Sequence, residues 1–372
     1  MTTTRPDGDP AADELGARIG RGRRLTIGEI AAIVALIAVV ALIPLVWSNA
    51  YALGVLITAM IVLVLNVSWN FVLGIAGVWN FGQLAIYAIG GYGAGLLMLH
   101  TPLPPALAIV CGGLIAAGVS ILLAFPTLRL HGIYTSLLTF SFAQVFLFVV
   151  VNDPKGLTGG TFGFPTVPGL YSFLSPTASL RAYFWTMLAV VVVATLAVAM
   201  IRGSRLGIAL RTIRDAPSYA AARGISPLRY RVIAFAISGF IAGVAGALYL
   251  SYNQSFTTAA MGLTPMSIDV TMLVIGGLGT IWGPILGTSV LTGLQVSLVD
   301  YPGIQLTILG AILLVIVVFV PGGLVGLLSS IRRRVSAWVE AGDDDDDDRA
   351  AREEREALSA GAPTPRVPLE GS

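Results

Sequence analysis

Between Ile30 and Val320 one apolar run follows another, each close to the roughly 20 helical residues that cross a hydrocarbon layer of about 30 Å. Inside lipid every backbone amide and carbonyl needs a partner within the protein, so a spanning chain is either helical or a closed barrel. Unbroken apolar runs, rather than strict alternation, select helices. Composition agrees: 56% of residues are hydrophobic and 11% charged, with a mean hydropathy of +0.85, against roughly 45–50% and 25% in soluble domains. The expected fold class is an all-α integral membrane protein. The first run follows a charged leader and is succeeded by further runs, so it reads as a span rather than a cleavable signal peptide. The single cysteine, Cys111, lies within a run and reads as a small packing residue.

Arginine placement gives the orientation. Cations gather before the first run (Arg18, Arg21, Arg23, Arg24), at Arg129, from Arg202 to Arg231, and at Arg332 to Arg334. The positive-inside rule puts these in the cytoplasm. Threading between them predicts spans near 29–47, 51–73, 76–99, 105–126, 131–151, 182–201, 230–250, 266–280, 283–299 and 304–320. That is about ten transmembrane helices with both termini cytoplasmic. The expected organisation is a polar tail at 1–28, a membrane domain at 29–328 and a charged tail at 329–372. A cytoplasmic loop at 202–229 and an extracytoplasmic loop at 152–181 interrupt the membrane domain. Both tails have the composition of disordered segments, the second carrying six consecutive aspartates.

Two glycine motifs stand out. "IGGYG" (Gly90, Gly91, Gly93) falls in the third expected span and "IGGLG" (Gly276, Gly277, Gly279) in the eighth, so the two would run in opposite directions, as in an inverted repeat. Glycines on one helix face let backbones approach closely, and both motifs are read as the packed centre of their half. Asn80 with Gln83 three residues later reads as a cap of the third span, Ser267 as a cap of the eighth, and Gly283-Pro284 as the first turn of the next. As polar residues in spans, Asn80, Gln83 and Asp269 are also candidate pathway groups.

The cytoplasmic stretch "RGSRLGIALRTIRDAPSYAAARGISPLRYR" carries seven arginines against one acid, Asp215. Asp215 is expected to cap a short helix with Pro217 in its first turn, Gly224 to end it in a left-handed conformation, and Ser226-Pro227 to open the next span. A short helix presenting Tyr219, Ala220 and Ala221 is suited to docking on a cytosolic partner; a solvated loop whose arginines fix topology is the alternative.

In order, "GVWNFGQLAIYAIGGYGAGLL", "TLRLHGIYTSLLTFSFAQV", "LTGGTFG", the cytoplasmic stretch, "SIDVTMLVIGGLGTIWGPILG" and "VVFVPGGLVG" resemble the permease subunits of branched-chain amino acid ABC importers, a family that includes urea and amide permeases. The resemblance covers residues 50 to 328. It implies a ten-span permease of inverted halves, working with cytosolic ABC ATPase subunits, a second permease subunit (identical or homologous) and an extracytoplasmic solute-binding protein in the inner membrane, with no nucleic acid and no cofactor. It implies coupling to the ATPase through Arg211, Ile213, Arg214, Asp215, Tyr219, Ala220, Ala221 and Gly224. It also matches Gly74 and Gly77 before the first glycine motif and Gly276, Gly277, Gly279, Gly283, Pro284 and Gly287 in the second, so the translocation and packing core is expected at Gly90, Gly91, Gly93, Gly276, Gly277, Gly279, Gly283 and Pro284, with Asn80 and Gln83 beside it. The chain departs from the family pattern at Ala216-Pro217-Ser218, at Gln83 and at Gly91.

Catalytic chemistry is not expected. The only lysine, Lys155, sits in "DPKGLTGGTFG", so no phosphate-binding Gly-Lys-Ser/Thr loop exists, and any ATP hydrolysis belongs to another chain. His100 and His131 are expected on opposite sides, which leaves no metal cluster. The implied solutes are leucine, isoleucine and valine, with urea or short amides as the alternative. An ion-coupled secondary transporter would usually place an acid at mid-membrane, and none is expected there.

Overall fold

The computed structural model describes residues 49–130, 132–153, 156–163 and 167–301, then 307–308, 310–312, 314 and 323–327. The expected span at 29–47, both tails, Lys155, His131 and most of the span at 304–320 lie outside these residues.

The described residues are helical and contain no strand. Helix α1 (Ala50–Asn70) continues into a π-helical turn, Phe71–Ile75. Then come α2 (Gln83–His100), α3 (Pro105–Thr127), α4 (Ile133–Asn152) and α5 (Pro176–Gly203). Two short helices, α6 (Arg205–Asp215) and α7 (Pro217–Ala222), precede α8 (Pro227–Asn253), α9 (Leu263–Gly276) and α10 (Trp282–Ser297). Local chemistry explains the starts. The Asn49 side chain accepts the Tyr51 amide at 3.0 Å, and prolines open α3, α5, α7 and α8 where a missing N–H costs nothing.

Among the described residues five helices are long and apolar enough to cross a membrane: α1 with its π turn, α3, α4, α5 and α8. Helices α2, α9 and α10 do not meet that measure. The chain breaks between Gly277 and Ile281, which shortens α9 and α10 on either side.

Helix α8 sits at the centre, packed on α1, α2 and α3 and largely buried, whereas the outer helix α4 is largely exposed. Small residues make this possible. A Cβ on Gly246 would overlap the carbonyl of Tyr87 on α2, one on Gly243 would overlap Ala116 on α3, and one on Gly90 would overlap the backbone of Gly243. In lipid, where apolar surface gains little from leaving its solvent, such backbone contact is the main source of helix association.

Several expectations are corrected. The loop at 202–229 holds two helices rather than one, because Leu206, Ala209, Leu210 and Ile213 give its first part an apolar face that α5 and α8 cover. Asp215 ends α6 instead of capping α7, whose N-cap position is Ala216. Gly82, not Asn80, holds the N-cap position of α2; Asn80 accepts the Gly82 amide at 2.9 Å and donates to Gln83 Oε1 at 3.0 Å. Helix α9 starts at Leu263, so Ser267 lies inside it, donating to the Leu263 carbonyl at 2.9 Å. The two glycine motifs also differ in kind: α2 runs unbroken through Gly90, Gly91 and Gly93, whereas α9 stops at Gly276 and the chain turns through Gly277 (φ 112°) and Gly279 (φ 75°).

Candidate functional site

The end of α5, the helix α6, the π turn of α1 and the break after α9 converge. At Ser204 the chain reverses so tightly that a Cβ on Gly207 would overlap the carbonyls of Ile201 and Arg202. Arg211 ties the reversal down, donating from Nη2 to the Arg202 carbonyl at 3.0 Å and from Nε to the Gly207 carbonyl at 3.2 Å. Ile213 and Leu210 are buried below.

Arg214 then reaches across to α1, where its Nη1 donates to the Gly74 carbonyl at 2.5 Å. Its Nε and Nη2 donate to the Asp215 carboxylate at 2.7 and 3.2 Å, an exposed pair that orients the guanidinium more than it stabilises the fold. The methylenes of Arg214 fill the space where Gly77 (φ 71°) has no side chain. Beside it a Cβ on Gly74 would overlap the backbone nitrogen of Gly279. Asn70 closes the joint: its Oδ1 accepts the Gly279 amide at 2.8 Å and its Nδ2 donates to the Thr280 carbonyl at 2.8 Å. Amides and carbonyls freed where helices stop need such partners. Two side chains, Asn70 and Arg214, thus connect the helix pair α6 and α7 to both interruptions in the bundle.

Helix α7 projects beyond this joint. Ala220 is fully buried against the rest of the protein, while Tyr219, Ala221 and Gly224 are exposed, and the Arg223 guanidinium lies 5.2 Å from the Tyr219 ring centre. The helix ends in a Schellman motif: the Ile225 amide donates to the Ala220 carbonyl and the Gly224 amide to the Ala221 carbonyl, both at 3.0 Å, with Gly224 at φ 75°.

The other candidate residues lie deeper. Gln83 is fully buried and donates to Ser68 Oγ at 3.0 Å and Ser238 Oγ at 2.8 Å, joining α1, α2 and α8. Asn66 donates to Thr288 Oγ1 at 3.0 Å and to the Met272 sulfur at 3.3 Å, joining α1 to α10 and α9. A cavity of about 170 Å³ lies between α1, α5 and α10, lined by Leu63, Leu188, Thr195, Trp282 and Thr288 among others. Gly276 and Gly283 hold α9 and α10 together at the break, since a Cβ on Gly276 would overlap the Gly283 carbonyl, and Pro284 lies in the first turn of α10. Gly91 faces Phe256, and Gly93 lies toward Ile115 of α3. Sequence reasoning passed over Asn70, Asn66 and Ser68; their alternation within the apolar run "VLNVSWNFVL" was the available signal, since polar groups in a span carry packing or function.

The architecture defines a class: a helical membrane protein in which the π turn of α1 and the break after α9 are pinned to the amphipathic helix α6. The chain belongs to the family of branched-chain amino acid transport system permease components, which it matches over residues 51–321. It is similar to the high-affinity branched-chain amino acid transport system permease protein LivM of Salmonella typhimurium, at 26% identity over 71% of this chain and 68% of the relative. Similarity to LivM of Escherichia coli is 27% over the same shares. It is also similar to the nucleoside ABC transporter permease protein NupC of Lactococcus lactis subsp. cremoris, at 29% identity over 62% of this chain and 77% of that one. No solved structure matches it. The protein is therefore an ABC permease of the cell membrane, a transport subunit rather than an enzyme.

Proposed function

We propose that this chain forms the translocation pathway of an ABC importer for branched-chain amino acids, handed over by an extracytoplasmic binding protein and driven by cytosolic ATPase subunits. It has about ten spans in two inverted halves, both termini in the cytoplasm, and pairs with a second permease subunit, identical or homologous. The observation that carries the reading is the joint of Asn70 and Arg214, which gives α6 and α7 a direct mechanical connection to the π turn of α1 and to the break after α9. A motor closing beneath α7 would move α6, and Arg214 would pass that displacement to the end of α1 and the break after α9. The apolar lining between α1, α5 and α10 suits aliphatic side chains.

Uptake of radiolabelled leucine, isoleucine and valine, compared between cells with and without the chain, tests this. ATP-dependent uptake that survives an ionophore and is competed by the other two amino acids is expected. Competition by uridine instead would favour a nucleoside, the solute named for the relative from Lactococcus lactis; competition by urea or acetamide would favour amides; collapse with the ionophore would favour ion coupling.

Gly224→Val provides a narrower test. No atom lies within 4 Å of a Cβ placed there, so the effect comes from the positive φ alone, about 1–2 kcal/mol against a branched residue. The expected outcome is an assembled complex that hydrolyses ATP but transports several-fold less; transport at the wild-type rate would contradict the role given to α7.

A further inference from the structure

Arg231, in the second turn of α8, lines a cavity of about 90 Å³ bounded by Gly77 and Trp79 before α2, Thr127 at the end of α3, Gly132 before α4 and Thr135 in its first turn. Its Nε is buried without a hydrogen-bond partner. Among the described residues no carboxylate pairs with it: Asp215 holds Arg214, Asp153 takes the amides of Leu157, Thr158 and Gly159, and Asp269 and Asp300 form no salt bridge to it. Thr135, itself buried, also lines the cavity. Arg231 is only part-buried, but its Nε is desolvated without an acceptor, a cost that an anion in the cavity would relieve.

We propose that this cavity binds the phosphate of an anionic phospholipid from the cytoplasmic leaflet. The cavity lies where the connections before α2 and α4 meet the end of α3 and the start of α8, on the side that the arginine distribution assigns to the cytoplasm. Trp79 on its wall is 46% exposed, as an interfacial tryptophan is. Phe125, Ile133 and Tyr134, on the flanking turns of α3 and α4, are all more than half exposed and give acyl chains an apolar track. A basic pocket between helix ends with apolar surface beside it matches a lipid headgroup better than a free ion. The proposal depends on membrane embedding and orientation, not on which solute is carried.

The test is native mass spectrometry of the full-length protein in mild detergent, titrated with dioleoylphosphatidylglycerol, with dioleoylphosphatidylcholine and inorganic phosphate in parallel. A retained phosphatidylglycerol adduct is expected, absent with phosphatidylcholine. R231Q should weaken it about fivefold, the scale of one basic residue at an anionic surface, while R231K keeps most of it. R229Q, which alters an exposed arginine of the same helix, should change nothing. Equal retention by R231Q overturns the site. Displacement by millimolar inorganic phosphate makes the ligand a free anion and overturns the lipid. An adduct that appears only after removal of residues 329–372 assigns the cavity to the aspartate-rich tail and also overturns it. Arg231-dependent binding in a chain that showed no ATP-driven uptake would leave this proposal standing and the importer reading refuted.

Discussion

Arg214→Gln is expected to remove most ATP-driven uptake while the chain still assembles in the membrane. The guanidinium is the only described side chain that reaches from α6 to the Gly74 carbonyl, and Asp215 holds it in that direction. Glutamine is shorter and neutral, so the bond to Gly74 is lost; a hydrogen bond involving a charged group is worth about 1.5–3 kcal/mol. That loss does not unfold a bundle held elsewhere by backbone contact between α2, α3 and α8. It does free the end of α1 from the helix pair below. Arg214→Lys keeps a charge but not the planar fork that grips Gly74 and Asp215 together, and should fall between the two. Asn70→Ala strikes the same joint from the membrane side by leaving the Gly279 amide and the Thr280 carbonyl unpaired. Comparing uptake with ATP hydrolysis in the purified assembly separates these effects: hydrolysis without uptake is the expected signature, and wild-type uptake in both Arg214→Gln and Asn70→Ala would remove the joint from the mechanism.

Gly246→Val is expected to fail earlier, in folding. The new Cβ would occupy the position of the Tyr87 carbonyl, and backbone cannot move aside as a side chain does. Overpacking of ordinary cores costs about 1–3 kcal/mol, and here α2 and α8 would have to separate where Gly246 meets Tyr87 and Gly90 meets Gly243, losing contacts that hold the bundle in lipid. The yield of monodisperse protein from membranes should drop severely. Gly118→Ala supplies the comparison, because no atom lies within 4 Å of its added Cβ and alanine favours a helix interior by about 1 kcal/mol. Normal yield from Gly246→Val would show that the α2–α8 approach is not as close as described.

The amino-acid pattern made the class and the main helices readable, because lipid permits few solutions and the apolar runs are long. Turn chemistry that depends on one residue was also readable: Pro217 and Pro227 open helices, and Gly224 closes α7 with a positive φ. Side-chain roles set by distant partners were not. Asn80 and Gln83 have the spacing of a cap, yet Gln83 turns to Ser68 and Ser238, which lie far from it in the sequence. "IGGYG" and "IGGLG" look alike, yet only the second ends a helix, since Gly277 and Gly279 must turn the chain toward Asn70. Asp215 looked like a cap because it precedes Pro217; the neighbouring Arg214 claims it instead.

In the proposed mechanism α7 meets a motor protein. A photoreactive amino acid placed at position 219, where the tyrosine is 49% exposed, tests this in intact membranes, with position 148 on the exposed face of α4 as the comparison. Illumination followed by mass spectrometry should yield an adduct between position 219 and an ATPase carrying a phosphate-binding loop, and none from position 148. An assembly that forms adducts with lipid alone from both positions, or with the ATPase from neither, would contradict the claim that this helix couples the permease to ATP.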